Sequence, residues 1–166
     1  MAVHHRVLKT ELAIFDLPED LPSEDRALLE VARQATANSY SPYSNFKVGA
    51  AVRLTNGQII SGSNQENIAY PSGLCAESIC MFAAGAQFPA EAVVALAVTT
   101  VSGSTESEDL VTPCGLCRQV IAEYSSRHGS PVRILMQGRQ GPVVVVPDIQ
   151  SLLPLMFEHG TLKKND

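Results

Sequence analysis

The chain has 166 residues, within the roughly 100–200 of a single domain, and its 45% hydrophobic and 17% charged residues are the composition of a folded chain, not a disordered one. Twelve Lys and Arg against 17 Asp and Glu leave a net charge of -5, the wrong sign for neutralising phosphates, so no nucleic-acid partner is expected. No run of about 18 apolar residues is present to span a bilayer, and residues 1–10 are polar, which predicts no membrane partner and a cytoplasmic protein.

Residues 7–15 alternate loosely in the manner of a strand, and two prolines between 17 and 22 would end it. Residues 1–22 therefore read as an N-terminal extension with a candidate edge strand, ahead of one domain over 23–166. Ser23-Glu24-Asp25 is a helix start, and Leu28, Leu29, Ala32 and Ala35 recur on one helical face, which predicts a helix over 24–39. After a loop at 41–44, residues 46–55 read as a buried strand, Asn56-Gly57 as a hairpin turn and 58–63 as the returning strand. Residues 74–86 are apolar on nearly every side, which marks a buried helix, and 93–101 form a β-branched run of central-strand type. A polar loop at 102–109 precedes a helix over 115–128, closed by Arg127, His128 and Gly129 in the order a C-terminus favours. Two further strands are expected at 132–136 and 143–146. Strands interleaved with helices, the first pair antiparallel, predict a layered α/β domain on a mixed sheet.

Four cysteines in a chain of this length point to metal or catalysis before disulfides. Cys114-Gly115-Leu116-Cys117 sits where a helix begins, so its two sulfurs share one side, and Cys75 at the start of another helix can supply a third. Soft thiolates in that arrangement suit zinc, and three protein ligands leave a tetrahedral position open, as catalytic sites do. At about 100° per residue Cys80 lies some 140° round the helix from Cys75 and more than a turn along it, so it is expected in the core. Glu77, two residues beyond Cys75, is awkward as a ligand but well placed beside a metal-bound water, where a buried carboxyl acts as general acid and base.

Cys75-Ala76-Glu77 followed by Pro113-Cys114-Gly115-Leu116-Cys117 resembles the signature of zinc-dependent deaminases. Together with the segments 40–46, 48–51, 64–67, 70–71 and 152–157, the chain from about 23 to 157 is similar to the cytidine deaminases, in their three-cysteine form. The resemblance implies a three-layer α/β/α fold with a mixed, about five-stranded sheet, and one zinc held by Cys75, Cys114 and Cys117. It implies hydrolytic deamination of cytidine and deoxycytidine, with Glu77 moving the protons. It further implies that Phe46 packs on the pyrimidine, that Asn64 and Glu66 bind ribose hydroxyls, and that the backbone at Ala76 reads the base. Tyr70 and Phe157 would complete a neighbouring subunit's pocket in a homotetramer. A deaminase of a cytosine-bearing antibiotic such as blasticidin S, or an inactive zinc-binding member, are the alternatives. Ser78 stands where the family usually has Arg, which leaves the charge of three thiolates on one zinc to be balanced by the two helix N-termini or by Arg118.

Overall fold

Alternation along the central strand sets the layering. In β4 (Val93–Thr100), Leu96 and Val98 join the hydrophobic cluster on one face of the sheet, Ala95 and Ala97 that on the other, and all four are fully buried. The structure, a computed structural model, describes residues 3–103 and 109–158. Around β4 lie β1 (Ala13–Phe15), β2 (Val48–Leu54), β3 (Ile59–Ser63), β5 (Arg133–Met136) and β6 (Val143–Val146), in the order β1-β6-β5-β4-β2-β3. Among these strands β4 and β5 run parallel and the other neighbours antiparallel. The chain between β4 and β5 crosses over through α3 (Gly115–His128). One face is covered by α1 (Ser23–Ala35), whose Leu28, Leu29 and Ala32 meet Ala51, Ala95, Ala97 and Leu135. The other is covered by α2 (Ala76–Gln87) and α3, whose Cys80, Met81, Ala84 and Ile121 meet Val52, Leu96, Val98 and Ile134. The architecture is the expected three-layer α/β/α on a mixed sheet. No described helix is long and apolar enough to cross a membrane.

The sheet has six strands, not five. Residues 13–15 of the extension pair antiparallel with β6, Ala13 opposite Val145 and Phe15 opposite Val143, while Thr10 donates from Oγ1 to the Ser151 carbonyl at 2.7 Å. Only these three residues of the 7–15 run form strand, pairing with Val143, Val144 and Val145 of β6. The hairpin also differs in detail. Leu54 accepts from the Gly57 N–H and donates to Gln58, and Gly57 alone has a positive φ, of 83°, so the loop is a three-residue turn with a glycine bulge in place of a two-residue turn. Helix α1 ends at Ala35 and tightens into a 3-10 turn over Thr36–Asn38, so the predicted end at residue 39 is close. The end of α3 is as expected: Gly129 takes φ 60°, its N–H reaches Ser126, and Ser130 reaches back to Ser125.

Two close approaches hold the helices where the site needs them. A Cβ placed on Gly62 of β3 would sit 2.8 Å from the Ala76 carbonyl and 2.9 Å from the Cys80 nitrogen, so the first turn of α2 rests directly on the strand. A side chain at Gly49 of β2 would strike the Ala32 carbonyl of α1. Asp25, buried in the first turn of α1, ties that helix to the sheet through Arg133 Nε at 2.8 Å and Arg53 Nη2 at 3.5 Å.

Candidate metal centre and adjoining pocket

Two helix N-termini converge on three thiols. Cys75 is the residue before α2 and Cys114 the residue before α3; both have extended backbone, and Cys117 follows on the first turn of α3. The sulfurs of Cys75, Cys114 and Cys117 lie within 4.8 Å of one another, with Cys75 and Cys114 3.8 Å apart. Zinc–sulfur bonds of about 2.3 Å at tetrahedral angles require sulfurs about 3.8 Å apart. Proximity to Cys75, burial and the Glu77 carboxyl push the Cys117 thiol up, so without a cation that one thiol resists ionising. A divalent ion relieves that strain, and each helix N-terminus adds roughly half a positive charge. The donor set fits one zinc ion per chain. Cys117 is buried, Cys75 half-buried and Cys114 exposed, so the centre opens toward solvent on one side.

Cys80 is outside the cluster, as its place on the helix predicts. It is fully buried, its thiol donates to the Glu77 carbonyl at 3.2 Å, and burial pushes it well above the usual thiol range. Glu77 itself is buried on the first turn of α2. Burial raises its carboxyl, opposed by hydrogen bonds from its own backbone N–H and from the Cys117 thiol, which places the acid against the metal-binding cluster.

Beside the cluster lies a cavity of about 330 Å³, lined by Tyr43, Asn64, Glu66, Tyr70 and Leu74 and reaching Cys75. Its wall is irregular backbone zipped by isolated bridges: Gln65 exchanges two hydrogen bonds with Leu74, at 2.9 and 3.0 Å, while Glu66 donates to the Tyr40 carbonyl at 2.8 Å. That pairing keeps Leu74 extended, so α2 begins at Ala76 and not at residue 74. Asn64 holds the wall from inside. Its Oδ1 accepts from Ser39 Oγ at 2.6 Å and from the Val48 N–H at 2.8 Å, and its Nδ2 donates to the Phe46 carbonyl at 2.8 Å. With both acceptor positions used, one amide N–H is left for a ligand. Glu66 accepts from the Tyr43 N–H at 2.8 Å, the Ser44 N–H at 3.3 Å and the Ser44 hydroxyl, and these bonds, the hydroxyl's first, hold its carboxyl below the usual range. Asn45 takes a left-handed φ of 54° to turn the chain toward Phe46.

The remaining expected site residues lie elsewhere on the single chain. Phe46 is half-exposed outside the cavity lining, and Ala76 is buried under the first turn of α2. Phe157 is 60% exposed, and its carbonyl accepts from Gln119 Nε2 at 2.8 Å. Arg118, considered for charge balance, donates from Nε to the Pro113 carbonyl and from Nη1 to the Leu152 carbonyl, so its mapped bonds go to backbone and not to sulfur. Sequence reasoning did not single out Tyr43, which makes an edge contact with Tyr70 at 6.1 Å, nor Asn67 or Leu74. The signal for Tyr43 and Asn67 was their place inside segments 40–46 and 64–67. Residues 104–108 of the polar loop lie outside the described residues, but Ser102 at its start accepts from the Lys47 N–H at 2.7 Å and braces the turn at Asn45.

Comparison with known proteins agrees with this geometry. The sequence model described as the cytidine and deoxycytidylate deaminase zinc-binding region matches residues 22–128. A cytidine deaminase of Mycobacterium tuberculosis is 50% identical over 46 residues, and one of Halalkalibacterium halodurans 42% identical over 71 residues. Those matches cover 28% and 43% of this chain and 35% and 53% of the relatives, so the chain spans about half or less of the length of these curated relatives. The crystal structure of cytidine deaminase from Burkholderia pseudomallei superimposes with a TM-score of 0.68 at 36% identity, covering 79% of this chain and 97% of that one. That from Mycobacterium tuberculosis gives 0.64 at 33% identity, over 82% and 99%. The cysteine triad on two helix N-termini, the six-stranded mixed sheet and these likenesses together establish that the chain belongs to the family of the cytidine and deoxycytidylate deaminase zinc-binding region.

Proposed function

We propose that this protein hydrolyses cytidine and deoxycytidine to uridine and deoxyuridine, releasing ammonia. The observation that carries the reading is the juxtaposition of three thiols, a buried Glu77 and a nucleoside-sized cavity that meets them at Cys75. Cys75, Cys114 and Cys117 would hold the zinc, which when bound lowers the pKa of a water to about 7. Glu77, desolvated against the cluster, takes the water's proton and returns protons to N3 and to the departing amine. In the cavity Asn64 contributes its one remaining N–H to a ribose hydroxyl, and Glu66 accepts from another. Phe46 covers the pyrimidine face and the backbone at Ala76 reads the base. Phe157, largely exposed on one chain, is free to complete a neighbour's pocket, while Tyr70 lines its own chain's cavity from an exposed position, in keeping with a homotetramer of a cytoplasmic salvage enzyme.

The test is the loss of cytidine absorbance by protein whose zinc content has been quantified. Turnover of cytidine at one zinc per chain is the expected result. No change at full zinc occupancy would sink the reading, and turnover of blasticidin S alone would redirect it to the antibiotic. A native mass of four chains is expected for the assembly.

A further inference from the structure

Three thiolates around one divalent ion leave one net negative charge. The adjacent cation, Arg118, is committed to the Pro113 and Leu152 carbonyls at 2.8 and 3.0 Å. Apart from the Glu77 carboxyl, which offers no positive charge, what reaches the Cys117 sulfur is a neutral hydroxyl. Ser78 Oγ lies 3.4 Å from Cys117 Sγ, and both residues are fully buried. Ser78 is on the first turn of α2 and Cys117 on the first turn of α3, so the contact bridges the two helices that carry the thiol cluster.

We propose that Ser78 is a positioning residue for the zinc centre: its hydroxyl donates to the Cys117 thiolate, fixes that sulfur in the coordination geometry and draws off part of the charge it gives the metal. This rests on the reading of the three thiols as zinc ligands. The direction of the bond follows from the chemistry. Between a hydroxyl and a neutral thiol either group can donate, but a thiolate has no proton, so with metal bound only Ser78 can. A hydrogen bond to a charged acceptor is about twice as strong as a neutral one, and burial keeps water from replacing it. Partners that orient metal ligands in this way typically change metal affinity about 10–100-fold when removed.

Zinc-loaded protein and its Ser78→Ala variant, each at one zinc per chain, are challenged with the chromogenic chelator 4-(2-pyridylazo)resorcinol. The variant is expected to release zinc about tenfold faster. The same proteins loaded with cobalt(II) report on the sulfur itself. Loss of a donor raises the energy of the sulfur lone pairs and moves the sulfur-to-cobalt charge-transfer band to lower energy, which a loss of packing does not do. Threonine and valine have the same shape and differ in the hydroxyl. Ser78→Thr is therefore expected to keep the original band and Ser78→Val to shift it, a comparison that stands if the alanine variant folds poorly. Unchanged release and an unchanged band in Ser78→Ala, or equal shifts in the threonine and valine variants, would overturn the role of Ser78. Failure of the unaltered protein to take up stoichiometric zinc would instead overturn the metal reading.

Discussion

The two sides of the site are built by different means. The thiol side is made of helix ends: Cys75 and Cys114 precede α2 and α3, and those helices are placed by the core, with Met81, Ala84 and Ile121 packed on the sheet. The cavity side is made of loops, and its polar residues hold up their own wall. Asn64 makes three hydrogen bonds to Ser39, Val48 and Phe46, and Glu66 makes three to Tyr43 and Ser44. A residue on the thiol side can therefore be changed for its chemistry alone. One on the cavity side cannot, because the group that meets the ligand also keeps the loop in shape.

The largest effect expected is at Glu77. Glu77→Ala should lower turnover of cytidine by about 10⁴-fold, the upper end for removal of a general acid–base group, while zinc content and hydrogen exchange of the 40–46 amides stay as they were. Retained turnover would break the division of labour from the chemical side. Next is Glu66→Gln, which weakens an acceptor that binds charged and is expected to raise KM about tenfold, the equivalent of about 1.4 kcal/mol. Unlike the Glu77 change, it should also speed exchange at the Tyr43 and Ser44 N–H groups. A KM effect with no change in exchange would show that Glu66 does not support the loop. The smallest is Cys80→Ala. Its sulfur is buried but outside the cluster, so the variant should keep one zinc per chain and lose about 1 kcal/mol of stability in urea titration. Loss of zinc there would make Cys80 a ligand.

The thiol side was legible in the amino-acid sequence because helical spacing is regular: Cys114 and Cys117 must share a side, and Cys80 must turn away from Cys75. The cavity side was legible only through resemblance. The bridges from Gln65 to Tyr40 and Leu74 are single pairings with no periodicity behind them, so nothing local announces that Leu74 stays extended or that Tyr43 meets Tyr70. The second acceptor bond that turns Asn64 into a donor-only group depends on Val48, sixteen residues away. The sixth strand had a local signal in the alternation of residues 7–15, but the strand it pairs with, β6, lies more than a hundred residues on. Ser78 carried the opposite lesson, since a missing arginine posed a charge problem that only a distance could answer.

The three-residue β1 has a consequence for handling the protein. It pairs with Val143, Val144 and Val145 on the outer flank of β6, whose four successive valines would otherwise present a bare ladder of backbone donors and acceptors with high strand propensity. Such a ladder recruits the matching edge of another molecule and can seed fibrous aggregates. By ending after Phe15, ahead of Pro18, β1 replaces that edge with one too short to template growth. The edge it covers lies at the far end of the sheet from β3, on which the first turn of α2 rests.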